Sequence, residues 1–162
     1  MTDAASPADG DHRTLARVAD YQFGPGAGEA LFGDPEELEI TRSTSGRPRQ
    51  VHADGGRLVT YNTDGRFTLG VEGGRRLVRS LPAPDYRVVV GDDSEPFVRD
   101  GKNVFAKFVR EVDDDIRPGD DVAVVHRDGD LLGVGRAELP AGDMETFDTG
   151  MAVFVRHGAS DD

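Results

Sequence analysis

The sequence predicts an α+β protein in which a small N-terminal α+β module is followed by a small closed or nearly closed β barrel. Three observations lead to this fold class. Short apolar runs separated by glycine turns fill residues 37–70. One amphipathic helix follows them and ends at two prolines. Beyond Tyr86 the chain alternates short strand patterns with turn signals, as expected for a small barrel.

The first module begins its strand region near residue 37. Its apolar strand positions are Val51, Leu58, Val59, Tyr61, Phe67 and Leu69. Between them, Asp54-Gly55-Gly56 and Asp64-Gly65 are typical of tight hairpin turns. These residues predict short antiparallel strands joined by hairpins.

An amphipathic helix is predicted at about residues 72–81. At about 100° per residue, its apolar and basic residues separate onto two faces. The apolar face holds Leu77, Val78 and Leu81, and the basic face holds Arg75, Arg76 and Arg79. Pro82 and Pro84 end the helix. One face is therefore expected to pack and the other to present cations.

The second module contains five predicted strands. They cover residues 87–90, 104–109, 121–126, 131–139 and 151–157, with a short helix at 142–147. Asp128-Gly129 predicts a hairpin between the third and fourth of these strands. Gly133, Gly135 and Ala137 share one face of the fourth strand, which predicts close packing of another backbone or a ring. The predicted domains are a disordered acidic tail at 1–14, the first module at 15–84, the barrel at 85–158 and a tail at 159–162.

The formal net charge of −12 disfavours a simple basic nucleic-acid binder. The acids are 22 Asp and 9 Glu, whereas the bases are 17 Arg and only two lysines, Lys102 and Lys107. This skew is typical of an extreme halophile, where molar salt shortens the Debye length to about 3 Å. The charge is also uneven, because residues 1–41, 42–79 and 80–162 carry −7, +5 and −10. The middle of the chain is therefore basic.

Several function classes are disfavoured by what the sequence contains. There is no Cys, and no run approaches the ~18 apolar residues of a membrane span. The first residues also lack the basic and apolar regions of a signal peptide. We therefore expect a soluble cytoplasmic protein with no membrane partner.

No catalytic residue, cofactor or metal is predicted. The histidines at 12, 52, 126 and 157 show no metal-site spacing, and neither H-E-x-x-H nor G-x-S-x-G occurs. Loop 24–28 is rich in glycine, but a dinucleotide fingerprint requires a glycine where Glu29 stands. In a chain this rich in Asp, residues 113–115 are better explained as a solvated loop than as a cation site.

Arginines of the basic middle segment form the first candidate binding site. Arg42, Arg47 and Arg49 lie in a loop rich in hydroxyl groups and glycine, and Arg75, Arg76 and Arg79 lie on the predicted helix. Guanidinium groups bind phosphate with two parallel hydrogen bonds, so these side chains are suited to a nucleic-acid backbone. The alternative, which charge alone leaves open, is that they pair with neighbouring acids.

The stretch at 101–107 forms the second candidate site. Gly101, Lys102, Asn103, Phe105 and Lys107 are its candidate residues, and it holds both lysines of the chain. In a strand that begins near Val104, residues 105 and 107 share a face, which puts an aromatic ring beside a cation. That pairing suits a base or ribose together with a phosphate. The alternative places Phe105 in the core with both lysines merely exposed.

Several motifs of the second module resemble a PUA domain. They are N-V-F-A-K-F-V at 103–109, R-P-G-D-D-V at 117–122, L-L-G-V-G-R-A at 131–137 and G-M-A-V-F-V-R-H-G at 150–158. Upstream, A-D-Y-Q-F-G at 19–24, R-S-T-S-G-R at 42–47 and G-R-F-T-L at 65–69 resemble the small domain that precedes the PUA domain in archaeal tRNA-guanine transglycosylases and archaeosine synthases.

The resemblance implies a PUA-type pseudo-barrel that binds structured RNA, usually the acceptor region of tRNA, with the preceding module helping to place it. It also implies that residues 101–107 approach the RNA and that Arg136, Arg156 and His157 belong to the binding motifs. These 162 residues do not include the transglycosylase barrel with its catalytic aspartates.

The leading hypothesis is a non-catalytic protein that binds tRNA or another structured RNA in connection with archaeosine-type tRNA modification. The alternative is an accessory subunit that works with a separate tRNA-modifying enzyme, a transglycosylase or synthase. A third, weaker hypothesis is a metabolite-binding domain that uses loop 24–28.

Overall fold

A computed structural model describes residues 5–53, 55–83 and 85–159 of the chain. The chain divides between Leu81 and Pro82 into two compact units, a few residues before the predicted boundary after residue 84. No helix within the described residues is long and apolar enough to cross a bilayer.

The first unit opens with helix α1 (Ala5–Phe23), followed by helix α2 (Ala27–Phe32) and a 3₁₀ turn (Pro35–Glu37). Leu15, Ala19 and Phe23 recur every fourth position and are fully buried, so α1 packs along one face. Gly28 lies directly against the backbone of Ala16, which leaves no room there for a Cβ atom. This close approach brings α1 and α2 together.

The predicted disordered tail is wrong for residues 5–14, which are helical. Two side-chain contacts hold this end of α1. The His12 Nε2 atom lies 3.2 Å and 3.1 Å from the carbonyl oxygens of Phe32 and Gly33. Asp11 pairs with Arg42 at 2.7 Å. These contacts outweigh the weak helix propensity of the small and acidic residues. Residues 1–4 and 160–162 lie outside the described residues.

The predicted hairpin region is an antiparallel four-stranded sheet in sequence order. Its strands are β1 (Glu39–Arg42), β2 (Pro48–Ala53), β3 (Gly56–Tyr61) and β4 (Phe67–Leu69). Helix α3 (Val71–Ser80) follows, as predicted, and Leu77 is buried on its apolar face. Gly73 lies against the Leu58 carbonyl oxygen, so α3 packs directly on β3.

The second unit is a mixed six-stranded sheet rolled into a nearly closed barrel. Its elements are β5 (Arg87–Val90), α4 (Glu95–Arg99), β6 (Val104–Phe105), a 3₁₀ turn (Ala106–Phe108), β7 (Val109–Val112), β8 (Asp121–His126), β9 (Leu131–Ala137), α5 (Ala141–Thr146) and β10 (Met151–Gly158). The strand order is β6-β10-β9-β8-β5-β7, and only the β5–β8 pair is parallel. The predicted fold class is confirmed.

The predicted strand at 104–109 is wrong in its middle. The chain leaves the sheet after Phe105, forms the 3₁₀ turn and re-enters it at Val109. Ala106 is buried and donates its N–H to the Gly150 carbonyl oxygen at 2.9 Å, which turns the chain inward at this point. Phe105 and Lys107 therefore do not alternate along one strand face.

Another stretch of backbone packs against the small-residue face of β9. This is one of the two alternatives predicted from the sequence, the other being a ring. A Cβ atom on Gly133 would lie 2.9 Å from the His157 carbonyl oxygen, and one on Gly135 would overlap the Phe154 carbonyl oxygen. Both oxygens belong to β10, the neighbouring strand. This glycine-rich strand is therefore packed against the protein's own backbone.

Candidate functional site

A cleft of about 400 Å³ opens in the second unit. Its lining combines aromatic rings with a few polar groups: Asp93, Ser94, Phe97, Val98, Lys102, Asn103, Phe105 and Phe108. Most of these residues come from α4 and from the loop and 3₁₀ turn that follow it. The cleft therefore contains much of the predicted 101–107 site.

Helix α4 supplies one wall of the cleft. Its start is marked by Ser94, Glu95 and Pro96, a pattern typical of a helix N-terminus. Val98 is buried in the barrel core, and this contact fixes the helix. The neighbouring Phe97 is 60% exposed, so its ring is open to solvent at the cleft.

The loop after α4 places the Lys102 side chain at the rim of the cleft. Gly101 has a φ of +89°, which closes the helix and favours glycine. The N–H groups of Gly101 and Lys102 donate to the carbonyl oxygens of Val98 and Phe97, each at 2.9 Å. Asn103 accepts the Val155 N–H at 2.9 Å through Oδ1, which ties the loop to β10. Gly101 and Asn103 thus have positioning roles.

Two further aromatic residues complete the cleft. Phe105 is 46% exposed, so the alternative that buried it in the core is wrong. Phe108 is partly buried, and the Lys107 ammonium lies 5.2 Å from the centre of its ring. Lys102 lies 4.0 Å from Asp100, and both side chains are well exposed, so this ion pair is weak. Both lysines are therefore available to an anion beside aromatic surface.

Most arginines of the first unit have protein partners. Arg42 pairs with Asp11, and Arg75 pairs with Glu72 at 3.2 Å. Arg76 donates to the Leu31 carbonyl oxygen at 2.8 Å.

Arg47 is held most firmly. Its guanidinium donates to the carbonyl oxygens of Tyr61 and Asn62 at 3.1 Å and 2.5 Å and lies 4.2 Å from the centre of the Tyr61 ring. These contacts join the β1–β2 turn to the end of β3. Four of the six predicted phosphate-binding arginines therefore have partners within the protein, as the alternative interpretation predicted. They are Arg42, Arg47, Arg75 and Arg76.

Arg49 and Arg79 differ from the other four. Both are exposed, and neither makes a hydrogen bond or ion pair within the described part of the chain. They lie on β2 and α3 respectively. Of the six predicted phosphate-binding arginines, these two combine exposure with the lack of a partner in the described part of the chain.

The late candidates of the second unit lie on β9 and β10. Arg136 pairs with Glu138 at 2.8 Å and stands 5.4 Å from the centre of the Phe154 ring. Arg156 pairs with Asp121 at 2.5 Å, and His157 is exposed. None of the three lines the cleft.

Loop 24–28 has a structural explanation. Gly24 and Gly26 have φ values of +108° and +94°, and the Gly28 N–H donates to Asp20 Oδ1 at 2.7 Å. The Asp113 carboxylate likewise accepts backbone N–H groups, from Tyr86 and Asp115. Both motifs organise turns.

Phe97 and Phe108 contribute two of the three cleft rings, and neither is predicted from the sequence as a site residue. The helix-start pattern at 94–96 could have revealed α4 and hence the position of Phe97. Phe108 carried no such signal, because its orientation depends on the 3₁₀ turn that interrupts the predicted strand.

The rolled sheet, the helix after its first strand and the cleft beside that helix define a PUA-type barrel. The PUA domain model matches residues 86–159. The model for the patch-forming domain C2 of tRNA-guanine transglycosylase matches residues 13–84. The chain therefore matches a C2-type domain followed by a PUA domain, and these two parts of the predicted resemblance are confirmed.

Archaeal tRNA-guanine(15) transglycosylases are similar in sequence. The chain is 52% identical over 142 residues to the enzyme of Thermococcus kodakarensis, a match that covers 87% of this chain and 24% of the relative. The enzyme of Pyrococcus furiosus is 46% identical over 148 residues, with 91% and 25% coverage. The chain thus spans about a quarter of the length of these relatives.

Two solved structures have a similar fold. A hypothetical protein from Pyrococcus horikoshii superposes with a TM-score of 0.74 at 22% identity, covering 94% of this chain and 92% of that one. A conserved PUA domain protein from Thermoplasma acidophilum superposes with a TM-score of 0.66 at 23% identity, covering 96% and 92%. At these identities the two structures support the fold alone.

Proposed function

We propose that this chain is a non-catalytic RNA-binding protein that binds tRNA in connection with archaeosine-type tRNA modification. The observation that carries the proposal is the cleft of the PUA domain, where exposed Phe97 and Phe105 stand beside Lys102. Aromatic rings stack on unpaired bases, and ammonium groups bind the phosphates between them. The identity to tRNA-guanine(15) transglycosylases supports tRNA as the RNA.

The proposal gives separate tasks to the two units. In the second unit, the cleft receives an unpaired nucleotide, while Lys102 and Lys107 contact the backbone. In the first unit, Arg49 and Arg79 bind phosphates, because their guanidinium groups are exposed and have no partner in the described part of the chain. Arg47 orders a turn and is assigned no RNA contact.

The composition supports a cytoplasmic protein of an extreme halophile. With 31 acids and only two lysines, the surface suits a solvent of molar salt. Under those conditions the binding energy has to come from stacking, shape and short hydrogen bonds, because long-range attraction is screened.

A salt titration of tRNA binding tests this account. Four cations contact phosphates in this account, Lys102 and Lys107 in the second unit and Arg49 and Arg79 in the first, so affinity should fall about tenfold or less between one and two molar KCl. Fluorescence anisotropy of labelled tRNA measures it, with an unstructured RNA of equal length as the control. A loss of about fiftyfold or more would require about six or more phosphate contacts and would contradict the proposed balance of forces.

An accessory subunit of a tRNA-modifying transglycosylase or synthase is the second candidate function. The identity to tRNA-guanine(15) transglycosylases is the observation that favours it. Purification of the tagged protein from a native high-salt lysate separates the two. A stoichiometric enzyme partner supports the accessory role, and recovery of tRNA alone supports the RNA-binding module.

A further inference from the structure

A cluster of one histidine and two carboxylates lies outside the cleft, at one edge of the barrel. Its members are Asp92, Glu95 and His126, whose nearest nitrogen and oxygen atoms all lie within 4.8 Å of one another. The sheet explains their proximity. Strands β5 and β8 are parallel, and Val90 pairs with His126, so the residues just after β5 arrive beside the end of β8.

The three side chains converge through one atom each. His126 Nε2 lies 2.5 Å from Asp92 Oδ1 and 3.9 Å from Glu95 Oε1. The His126 side chain is only 11% exposed and presents this nitrogen to the two carboxylates. An imidazole nitrogen with two carboxylate oxygens is a donor set that Zn²⁺ accepts, with water completing a tetrahedral site.

Each of the three side chains also has an outer partner that orients it. Glu95 Oε2 lies 3.1 Å from Arg99 Nε, and Asp92 Oδ2 lies 3.9 Å from Arg127 Nη2. On the other side of the imidazole, His126 Nδ1 accepts the Asp128 backbone N–H at 3.1 Å and lies 3.0 Å from Asp128 Oδ1. A carboxylate on the far nitrogen of a histidine is the arrangement that orients zinc ligands in proteins.

We propose that Asp92, Glu95 and His126 form a binding site for a divalent transition metal, with Zn²⁺ as the best-fitting ion. His126 binds through Nε2, and the two carboxylates bind through Oδ1 and Oε1. With the metal on Nε2, the remaining imidazole proton moves to Nδ1, where the Asp128 carboxylate replaces the Asp128 backbone N–H as its partner, and Arg99 and Arg127 hold the outer carboxylate oxygens. Mg²⁺ fits poorly, because it prefers an octahedral shell of oxygen atoms.

A proton occupies the same position when metal is absent. The hydrogen bond to Asp92 raises the pKa of His126 above its ordinary value, burial opposes that rise, and Asp128 adds to it. The two arginines limit the negative charge around the site.

Metal binding would fix the start of helix α4. Asp92 and Glu95 flank Asp93 and Ser94, which line the cleft, and Phe97 follows two residues later. The metal would thereby hold one cleft wall to the β8–β9 hairpin. The inference itself does not depend on RNA binding, since its ligands and its test involve this chain and the ion alone.

Isothermal titration of the metal-stripped full chain with ZnCl₂ tests the site. We expect saturable binding of one ion, weakened about tenfold or more by Asp92→Asn, by Glu95→Gln and by His126→Gln. Asp114→Asn and His157→Gln are the matched controls, since each removes the same chemical group from an exposed position in the same unit.

Asp92 is the decisive position, because its side chain is 76% exposed and Asn should leave the fold intact. Chemical shifts of the His126 imidazole nitrogens, recorded with and without zinc, supply a second readout. The proposal is overturned if zinc up to millimolar concentration shows no saturable binding. It is also overturned if Asp92→Asn and Glu95→Gln bind as the parent does, or if Asp114→Asn weakens binding equally.

Discussion

Reversing the charge of both lysines, Lys102→Glu with Lys107→Glu, is expected to weaken tRNA binding about thirtyfold at equal salt. The loss of two charge-assisted contacts corresponds to ~2 kcal/mol or more. The midpoint of thermal unfolding should change little. Lys102 makes only a weak ion pair at 4.0 Å, and Lys107 contributes one cation–π contact on the surface.

The matched control reverses two exposed cations of the same unit that lie outside the cleft, Arg110→Glu with Arg117→Glu. It changes the net charge by the same amount. Anisotropy titrations should show near-parental tRNA affinity for this control. Equal weakening in both double variants would attribute the effect to overall charge, and unaltered affinity in the lysine variant would refute the site.

Gly135→Ala is expected to lower the free energy of unfolding by about 3 kcal/mol. A Cβ atom at Gly135 would overlap the backbone of Phe154 on β10, and backbone cannot rotate away as a flexible side chain can. The two strands would have to separate where Val155 pairs with Gly135. Chemical denaturation measures the change.

Gly142→Ala is the control for this substitution. Gly142 lies in α5 with no atom within 4 Å of the position a Cβ would take, so alanine should be neutral or stabilise slightly. A Gly135→Ala protein as stable as the parent would show that β9 and β10 do not require this close approach. The small-residue face would then again be open to a ligand.

Turn chemistry made most of the fold predictable from the sequence. Asp128-Gly129 correctly placed the β8–β9 hairpin, where Gly129 has a φ of +103°. The prolines after residue 81 correctly ended α3. The first turns of α1 were missed because their stability comes from tertiary contacts such as that of His12 with Phe32, which no local propensity encodes.

The candidate site was predictable only where it is continuous in sequence. Residues 101–107 were predicted as a site because they hold both lysines of the chain. Of these residues, Lys102, Asn103 and Phe105 line the cleft. Phe97 was missed because a helix of five residues is too short to show a periodic pattern. His126 and Asp92 are separated by 34 positions, so their contact follows from the parallel β5–β8 pairing and not from spacing.

Charge counting alone could not separate RNA-binding arginines from structural ones. Arg47 and Arg49 stand two positions apart in the same basic loop, yet Arg47 contacts two carbonyl oxygens and a ring whereas Arg49 is exposed. Arg47 ends the β1–β2 turn whereas Arg49 lies within β2, so the distinction depends on the conformation of the turn and on what the neighbouring hairpin places beside it.

The central claim is that the PUA cleft binds tRNA, and crosslinking inside cells tests it most directly. The protein is crosslinked to RNA by ultraviolet light, after which both the attached RNA and the attached peptide are sequenced. We expect tRNA fragments to predominate and the crosslinked peptide to fall within residues 93–108. Fragments of ribosomal RNA in place of tRNA, or crosslinks confined to residues outside 93–108, would contradict the account.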